Sequence, residues 1–470
     1  MSTRPHRRES EPLIDLAVPQ RCHIVGIGGP GMSPIAKLLS SRGHIVTGSD
    51  TRSTSVTDQL GELGIAISHD HSASLVDDAT VVTYSTAIPA SNVEVRAARE
   101  RGIPVRHRSG LLAALCAQSR AVGVAGTHGK TTSTALLAVM LEAGGVDPSV
   151  IVGAEVSGYG VGARAGHSDV LVLEADESDG TLDVLPLHSV LITNVDIDHL
   201  DYFGSFDEVR QCFADAAQRA GGAVVLNLDD ENSAQARQSV SEGTILLTFG
   251  RSVDADVRVV SAISTSTGTD VELQNAGSSF RCQLPLRGAH NAMNLAGAVA
   301  MAMTLGVDID VSCRAAEKFR GVARRFTERG SFRGAQLIDD YAHLPAEIEA
   351  ALDAARSHPA LSGKVVAVFQ PNRFHRIAAM ADSYADCFER ADVVVITDIY
   401  ASGTERIEGV TGKMVSDAIA QKHPNAQVVW APTRSDIVSF LQSSLTVGDV
   451  CLSMGCGDIE FLPDELMGAR

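Results

Sequence analysis

The stretch Gly126-Thr127-His128-Gly129-Lys130-Thr131-Thr132 narrows the choice of fold more than any other part of this chain. A glycine turn that ends in Lys-Thr at the mouth of a helix is a phosphate cradle, and it needs a strand before it. Ala121–Ala125 reads as a short buried strand, and residues 133–142 carry a helical pattern closed by Gly144-Gly145. Backbone N–H groups and the positive helix end attract phosphates, Lys130 neutralises the outer ones, and Thr131 offers a hydroxyl to Mg2+. The usual first glycine would fall at Val124, so the loop is a variant of the common nucleotide-binding pattern. The plain alternative is a glycine-rich turn that binds nothing.

Strand-like runs at 22–27, 80–83, 170–174, 190–193 and 223–226 alternate with helical stretches. That is the rhythm of parallel α/β layers. A second series follows Phe326, at 335–338, 364–369, 393–397 and 450–453. Residues 251–286 are polar, alternating and rich in Ser and Thr, and read as a small antiparallel patch. A length of 470 residues suits about three domains, with joints near 118–120 and 321–325.

The net charge of −18 argues against a nucleic-acid partner, because such proteins present basic surfaces. Polyphosphate substrates would be met by local cations and Mg2+ rather than by the overall field. The eight cysteines are scattered without a CxxC pair, which suggests neither a zinc module nor a disulfide framework. No segment reaches the ~20 apolar residues that span a bilayer, and the first twenty residues resemble a loose tail rather than a signal peptide. A soluble, cytoplasmic protein with no membrane partner is expected, as monomer or homodimer.

Gly26-Ile27-Gly28-Gly29-Pro30-Gly31 fits G-x-G-x-x-G after a strand, and Asp50 ends the next strand-like run at the distance of a ribose-binding acid. Alone, this says dinucleotide oxidoreductase. The same geometry holds the pyrophosphate of any nucleotide, including a nucleotide sugar, since backbone amides do not read the base. A tight turn serving only strand-to-helix packing is the other alternative.

The apolar run Val170–Leu173 empties into Glu174-Ala175-Asp176-Glu177-Ser178-Asp179. An acid that directly ends an apolar strand is costly without a cation, which singles out Glu174 as a Mg2+ ligand. Asp176, Glu177 and Asp179 individually read as a solvated acidic loop. The next strand leads to Asp196, Asp198 and His199; His199 either packs in the loop or ligates a second metal, and two strand ends aimed at one ATP favour ligation. Arg324-Arg325 could meet phosphate charge, although basic pairs are commonly solvated faces. Asp339-Asp340-Tyr341-Ala342-His343 and Gln370-Pro371-Asn372-Arg373-Phe374-His375-Arg376 end two further strands. Their Arg, Tyr and His side chains suggest a polar pocket for a small anion, with Arg373 suited to a carboxylate.

The ordered set of these motifs, together with His290-Asn291, Asn294 and Gly321-Val322, resembles the Mur ligase family along nearly the whole chain after the tail. The closest likeness is to the members that add the first amino acid of the peptidoglycan stem. The resemblance implies an α/β fold of three domains: a Rossmann-like UDP-sugar domain (20–119) after a flexible tail (1–19), a central P-loop ATPase-type parallel-sheet domain (120–323) and a C-terminal Rossmann-like α/β domain (324–470) that carries the amino acid. It implies that Gly28, Gly29, Gly31 and Met32 hold the diphosphate of the UDP-sugar, with Asp50 and Arg108 near its nucleoside. Gly126 to Thr132 would bind ATP, with Lys130 on its phosphates; Thr131 and Glu174 would hold one Mg2+, and His199 a second. Asn291 and Asn294 would face the adenine, Arg325 the phosphates and Asp340 the ribose. Tyr341, His343, Arg373 and Arg376 would form the amino-acid pocket.

The implied reaction is ATP-dependent ligation of L-alanine to the lactyl carboxylate of UDP-N-acetylmuramate through an acyl phosphate. Departures from the family pattern at Leu344, Asn372, Phe374 and His375 surround the amino-acid pocket and leave open a paralogue that uses another small amino acid. A non-catalytic UDP-sugar binder would lack the metal and phosphate set present here, and an NAD oxidoreductase would leave the second glycine loop without a purpose.

Overall fold

The computed structural model describes residues 11–156, 159 and 162–468; the first ten residues of the expected tail lie outside them. The chain forms two compact units. One comprises the chain up to Ser261 with Val271–Cys282 and Met293–Val322, and the other Ala262–Asp270, Gln283–Ala292 and the chain from Ala323 onward.

The first unit opens with a five-stranded parallel sheet in the order Ala66–Ser68, Ile45–Ser49, Arg21–Val25, Val81–Tyr84, Val105–His107. Cys22, Ile24 and Val25 are buried, as expected where helices cover both faces of a parallel sheet. Strand order reverses beside Arg21–Val25, so the first glycine loop opens at the crevice where α/β sheets receive ligands. The following helix, Ser33–Ser41, has a proline in its first turn, where the missing N–H has no intrahelical partner to lose.

In the second sheet, Arg120–Ala125 lies between Val170–Glu174 and Ser189–Ile192, all parallel. Val124 pairs with Glu174 and Ala125 with Ile192. Register therefore brings the carboxyl ends of these strands level, and the loops at 126–130, 174–179 and 193–199 leave from one edge. Ala223–Asn227 and Ile245–Gly250 extend the sheet on one side, and Ser149–Ile151 with the antiparallel Ala163–Arg164 on the other. The polar stretch at 251–286 supplies three strands, Val257–Thr265, Gly268–Asn275 and Ser278–Leu284. Two-residue connections permit only antiparallel neighbours. These strands continue the same sheet to ten strands through a parallel pairing of Val257 with Phe249.

The second unit carries a six-stranded sheet in the order Thr327–Phe332, Ala335–Asp340, Val450–Met454, Val365–Phe369, Val393–Ile396, Gln427–Trp430. Only the first is antiparallel to its neighbour. Apolar clusters cover both faces. Met454 pairs with both Asp340 and Phe369, so the motifs after residues 340, 369 and 454 emerge together. No helix among the described residues is long and apolar enough to cross a membrane, and none of the eight cysteines is in a disulfide.

Candidate functional site

The first glycine loop is held by the residues expected around a nucleotide. Gly28 N donates to Asp50 Oδ2 at 3.0 Å, while Asp50 Oδ1 accepts from Arg52 N at 3.0 Å. Met32 is buried, and its N–H donates to Gly29 O at 2.9 Å. Arg108 opens the helix Arg108–Ala117 and lies against Gly31, where a Cβ would come within 2.7 Å of Nη1. Its guanidinium reaches Asp179 (Nε 3.0 Å, Nη2 2.9 Å) and Asp176 (Nη2 3.3 Å).

At the second loop, Gly129 has φ +80°, and a side chain there would run into the Asn294 carboxamide. Asn294 thus sits on the phosphate loop itself. Asn194 braces the loop from the neighbouring strand end, accepting from His128 N at 2.8 Å and donating to His128 O at 3.0 Å. Thr193 Oγ1 donates to the same carbonyl at 2.6 Å, and Thr127 Oγ1 accepts from Asp196 N at 2.9 Å. Thr131 and Thr132 are buried in the first turn of the helix Lys130–Ala143. The Thr131 hydroxyl donates to Glu174 Oε1 at 3.0 Å, and Glu174 Oε2 accepts from Gly153 N at 2.8 Å. The expected hydroxyl and carboxylate are together, offering the hard oxygen donors that suit Mg2+. Gly153 had no sequence signal, because its contribution is a backbone N–H.

Lys130 Nζ donates to Gly126 O at 2.6 Å and to both Glu177 oxygens at 3.1 and 3.0 Å. Glu177 is buried, which overturns its reading as a solvated acid. Asp176 and Asp179 are corrected with it, since both pair with Arg108. The physical reason is charge balance: a lysine enclosed by its own loop needs a counter-ion, and an acid-rich strand end beside a buried lysine was the available signal. Burial alone would lower the Lys130 pKa, but Glu177, Asp176 and Glu174 outweigh it and hold the ammonium above its ordinary value. Burial pushes the Glu177 carboxyl up despite Lys130.

His199 takes a left-handed backbone, φ +53°, and its Nε2 lies 3.0 Å from Asp198 Oδ2. Its Nδ1 is buried without a hydrogen-bond partner among the described residues. A ring anchored through one nitrogen by a carboxylate, with the other left open, is the arrangement of a metal-bound imidazole.

In the second unit, Asn291 Nδ2 donates to Arg287 O at 2.7 Å. Asp340 accepts from Phe326 N and Ala342 N, each at 2.7 Å, and burial pushes its carboxyl up to about 6 against the pull of Arg325. The guanidinium carbons of Arg324 and Arg325 both lie 5.1 Å from the centre of the Tyr341 ring, whose phenol burial pushes up to about 12. Arg324 is not a solvated cation: its Nε bonds the buried Asp339 at 3.2 Å and its Nη2 bonds Gly455 O at 2.6 Å. His343 packs edge-on to Tyr341 at 5.6 Å, and Glu347 accepts from its backbone N–H at 3.0 Å. Arg373 has φ +62° and donates its N–H to Tyr400 O at 2.9 Å. Arg376 is buried and donates to Asn372 Oδ1 at 2.7 Å. His199, Arg324, Phe326 and Arg373 are four of the seven described non-glycine residues with positive φ; strain of this kind collects at functional sites.

Three consecutive stretches match family models. Residues 21–120 match the Mur ligase family catalytic domain, 124–302 the Mur ligase middle domain, and 324–457 the Mur ligase glutamate ligase domain. The UDP-N-acetylmuramate–L-alanine ligase of Sinorhizobium fredii is 39% identical over 459 residues, covering 94% of this chain and 97% of its own. That of Pelotomaculum thermopropionicum is 38% identical over 441 residues, covering 93% and 95%. Among solved structures, the UDP-N-acetylmuramate-alanine ligase of Thermotoga maritima superposes with a TM-score of 0.79 at 28% identity, covering 96% of this chain and 99% of that one. A murein peptide ligase from Psychrobacter arcticus shares the fold with a TM-score of 0.70 at 21% identity, covering 96% and 98%.

Proposed function

The chain belongs to the Mur ligase family, and on that premise we propose that it joins L-alanine to the lactyl carboxylate of UDP-N-acetylmuramate at the expense of ATP. The observation that carries this reading is the meeting of Lys130, Thr131, Glu174 and His199 at neighbouring strand ends, in a chain 39% identical to ligases of that name. The proposed domains are 20–119 for the UDP-sugar, 120–323 for ATP and 324–470 for the amino acid, and the proposed compartment is the cytoplasm.

In this mechanism a carboxylate oxygen of the sugar acid attacks the γ-phosphorus of ATP, the bond to ADP breaks, and an acyl phosphate forms. The neutral amine of alanine attacks the acyl carbon, the carbon–oxygen bond to phosphate breaks, phosphate departs with the electron pair, and the nitrogen loses a proton. Two anions must approach each other in the first step. Lys130 is permanently charged and faces the phosphates; helix-end N–H groups of 129–132 add to its pull. Thr131 with Glu174, and His199 oriented by Asp198, would hold Mg2+, which when bound supplies the remaining charge neutralisation. No side-chain nucleophile is needed, because holding the reactants in line is itself worth up to roughly 7–11 kcal/mol. Tyr341, His343, Arg373 and Arg376 would receive alanine, with an arginine fork on its carboxylate. Asn291, Asn294, Arg325 and Asp340 are proposed on the ATP side.

A second reading, a different small amino acid as acceptor, is favoured by one observation. Asn372, where the family pattern has histidine, binds the buried Arg376 and so alters the pocket's donor set. Incubating the protein with ATP, Mg2+, UDP-N-acetylmuramate and equimolar alanine, glycine and serine, then identifying the product by mass, decides between them. Alanyl product in excess supports the first reading, and a glycyl or seryl product replaces it with the second. Absence of any amide product removes both.

A further inference from the structure

The acidic loop at 176–179 touches both nucleotide loops of the first unit through their cations. On one side the Gly31 backbone lies against Arg108, and Arg108 is bound by Asp179 and Asp176. On the other, Gly126 O and the buried Glu177 share the ammonium of Lys130. Glu177 is 2% exposed and Lys130 13%; the Arg108 side chain is 16% exposed and that of Asp179 11%. Lys130 has three N–H donors, and Gly126 O, Thr127 O at 3.3 Å and Glu177 engage all of them. A phosphate arriving at either loop therefore does not meet a free cation. It must take one that already has an acid.

We propose that Glu177 and Asp179 are positioning residues that act as stand-in anions: each holds a phosphate-binding cation in place until substrate phosphate displaces it, Glu177 for Lys130 at the ATP loop and Asp179 for Arg108 at the UDP-sugar loop. The inference rests on the proposed assignment of these two loops, and it adds residues that lie outside the two glycine loops. Removing a stand-in anion leaves a cation readier for phosphate but less well placed. Each substitution should thus tighten its own nucleotide while slowing turnover. A purely structural role would weaken binding and turnover together.

The test titrates wild type, Glu177→Gln and Asp179→Asn with ATP and, separately, with UDP-N-acetylmuramate, by calorimetry in the presence of EDTA, and follows melting temperature in parallel. Glu177→Gln should bind ATP about three- to tenfold more tightly, the scale of one charge-assisted contact, with UDP-N-acetylmuramate affinity within about twofold of wild type. Asp179→Asn should show the reverse pattern. In steady state with Mg2+, Glu177→Gln should lower both KM for ATP and kcat, and Glu177→Asp should restore part of kcat. Unchanged or weaker ATP binding by a folded Glu177→Gln protein overturns the inference, as does tightening of both nucleotides by either substitution. Should Glu177→Gln melt out, the Asp179→Asn pattern decides alone. If wild type binds neither nucleotide, the loop assignment fails first, and that result is distinct from a wild type that binds both while the variants leave affinity unmoved.

Discussion

Lys130 is the residue on which most of the proposed chemistry converges, and its neighbours explain why arginine or a neutral group would not replace it. Its ammonium fits among Gly126 O, Thr127 O and Glu177 at 2.6 to 3.3 Å, a space for a compact point charge rather than a planar fork. Lys130→Ala should leave amide formation about a hundred- to a thousandfold slower, the scale of losing one preorganised electrostatic donor, measured as product formed per enzyme at saturating ATP. Glu174→Gln should keep the hydrogen bonds to Thr131 and Gly153 yet raise the Mg2+ concentration for half-maximal ADP release by about tenfold or more, as expected when a ligand's charge is lost. The meeting of Thr131 with Glu174 beside Lys130 follows from what the sequence offers, because a phosphate loop and an acid that ends an apolar strand each have a physical reason visible in order alone; His199 had no such reason of its own. Glu177, Asp176 and Asp179 were not. Which of several adjacent acids turns inward depends on where the cations of other loops lie: Lys130 settles it for Glu177, and Arg108, some seventy positions earlier in the chain, for Asp176 and Asp179.

Among elements, the strand ends matter more than the strands. The turn at Gly129 shows how little freedom they leave. Gly129→Ala combines a left-handed backbone with a clash against Asn294, and should cost about 1–3 kcal/mol at the loop; weakened ATP binding in calorimetry, with little change in UDP-N-acetylmuramate binding, is the expected outcome. Farther from the loops, Glu94 on the helix Val93–Glu100 ties two strands together. It is wholly buried and bound by His23 Nε2 at 2.9 Å, His71 Nδ1 at 2.7 Å and Ser49 Oγ at 2.8 Å. Burial would raise its pKa, but these three partners prevail and hold it below the ordinary 4.5. A depressed carboxylate contributes stability above its unfolded-state pKa and loses it as pH falls through the folded value. Chemical denaturation should show this contribution fading below about pH 4.5, and Glu94→Gln should flatten that acid limb while lowering stability at neutral pH by about 1–3 kcal/mol. The long apolar strands were legible from periodicity. Thr327–Phe332 was missed because this edge strand is half exposed and carries no continuous apolar run, and Gln427–Trp430 because its apolar run is short and only half buried at the sheet edge.

At the scale of the whole molecule, three sheets follow one another along the chain, and the proposed ligand-binding loops lie at carboxyl strand ends. The expected α/β class and its parallel sheets are present. The antiparallel stretch at 251–286 proved to be an extension of the central sheet, since sequence alternation identifies strands but not the partner at their edge. Such serial architecture suits the proposed reaction of three substrates, with one substrate proposed for each sheet. The proposed ligation turns on a sugar carboxylate being phosphorylated by ATP before an amine captures it. Supplying UDP-N-acetylmuramate with 18O in its lactyl carboxylate, together with ATP, Mg2+ and alanine, tests that claim by the mass of the released phosphate. Inorganic phosphate carrying one 18O, in step with the alanyl amide, is the predicted result; amide formation with unlabelled phosphate would contradict it.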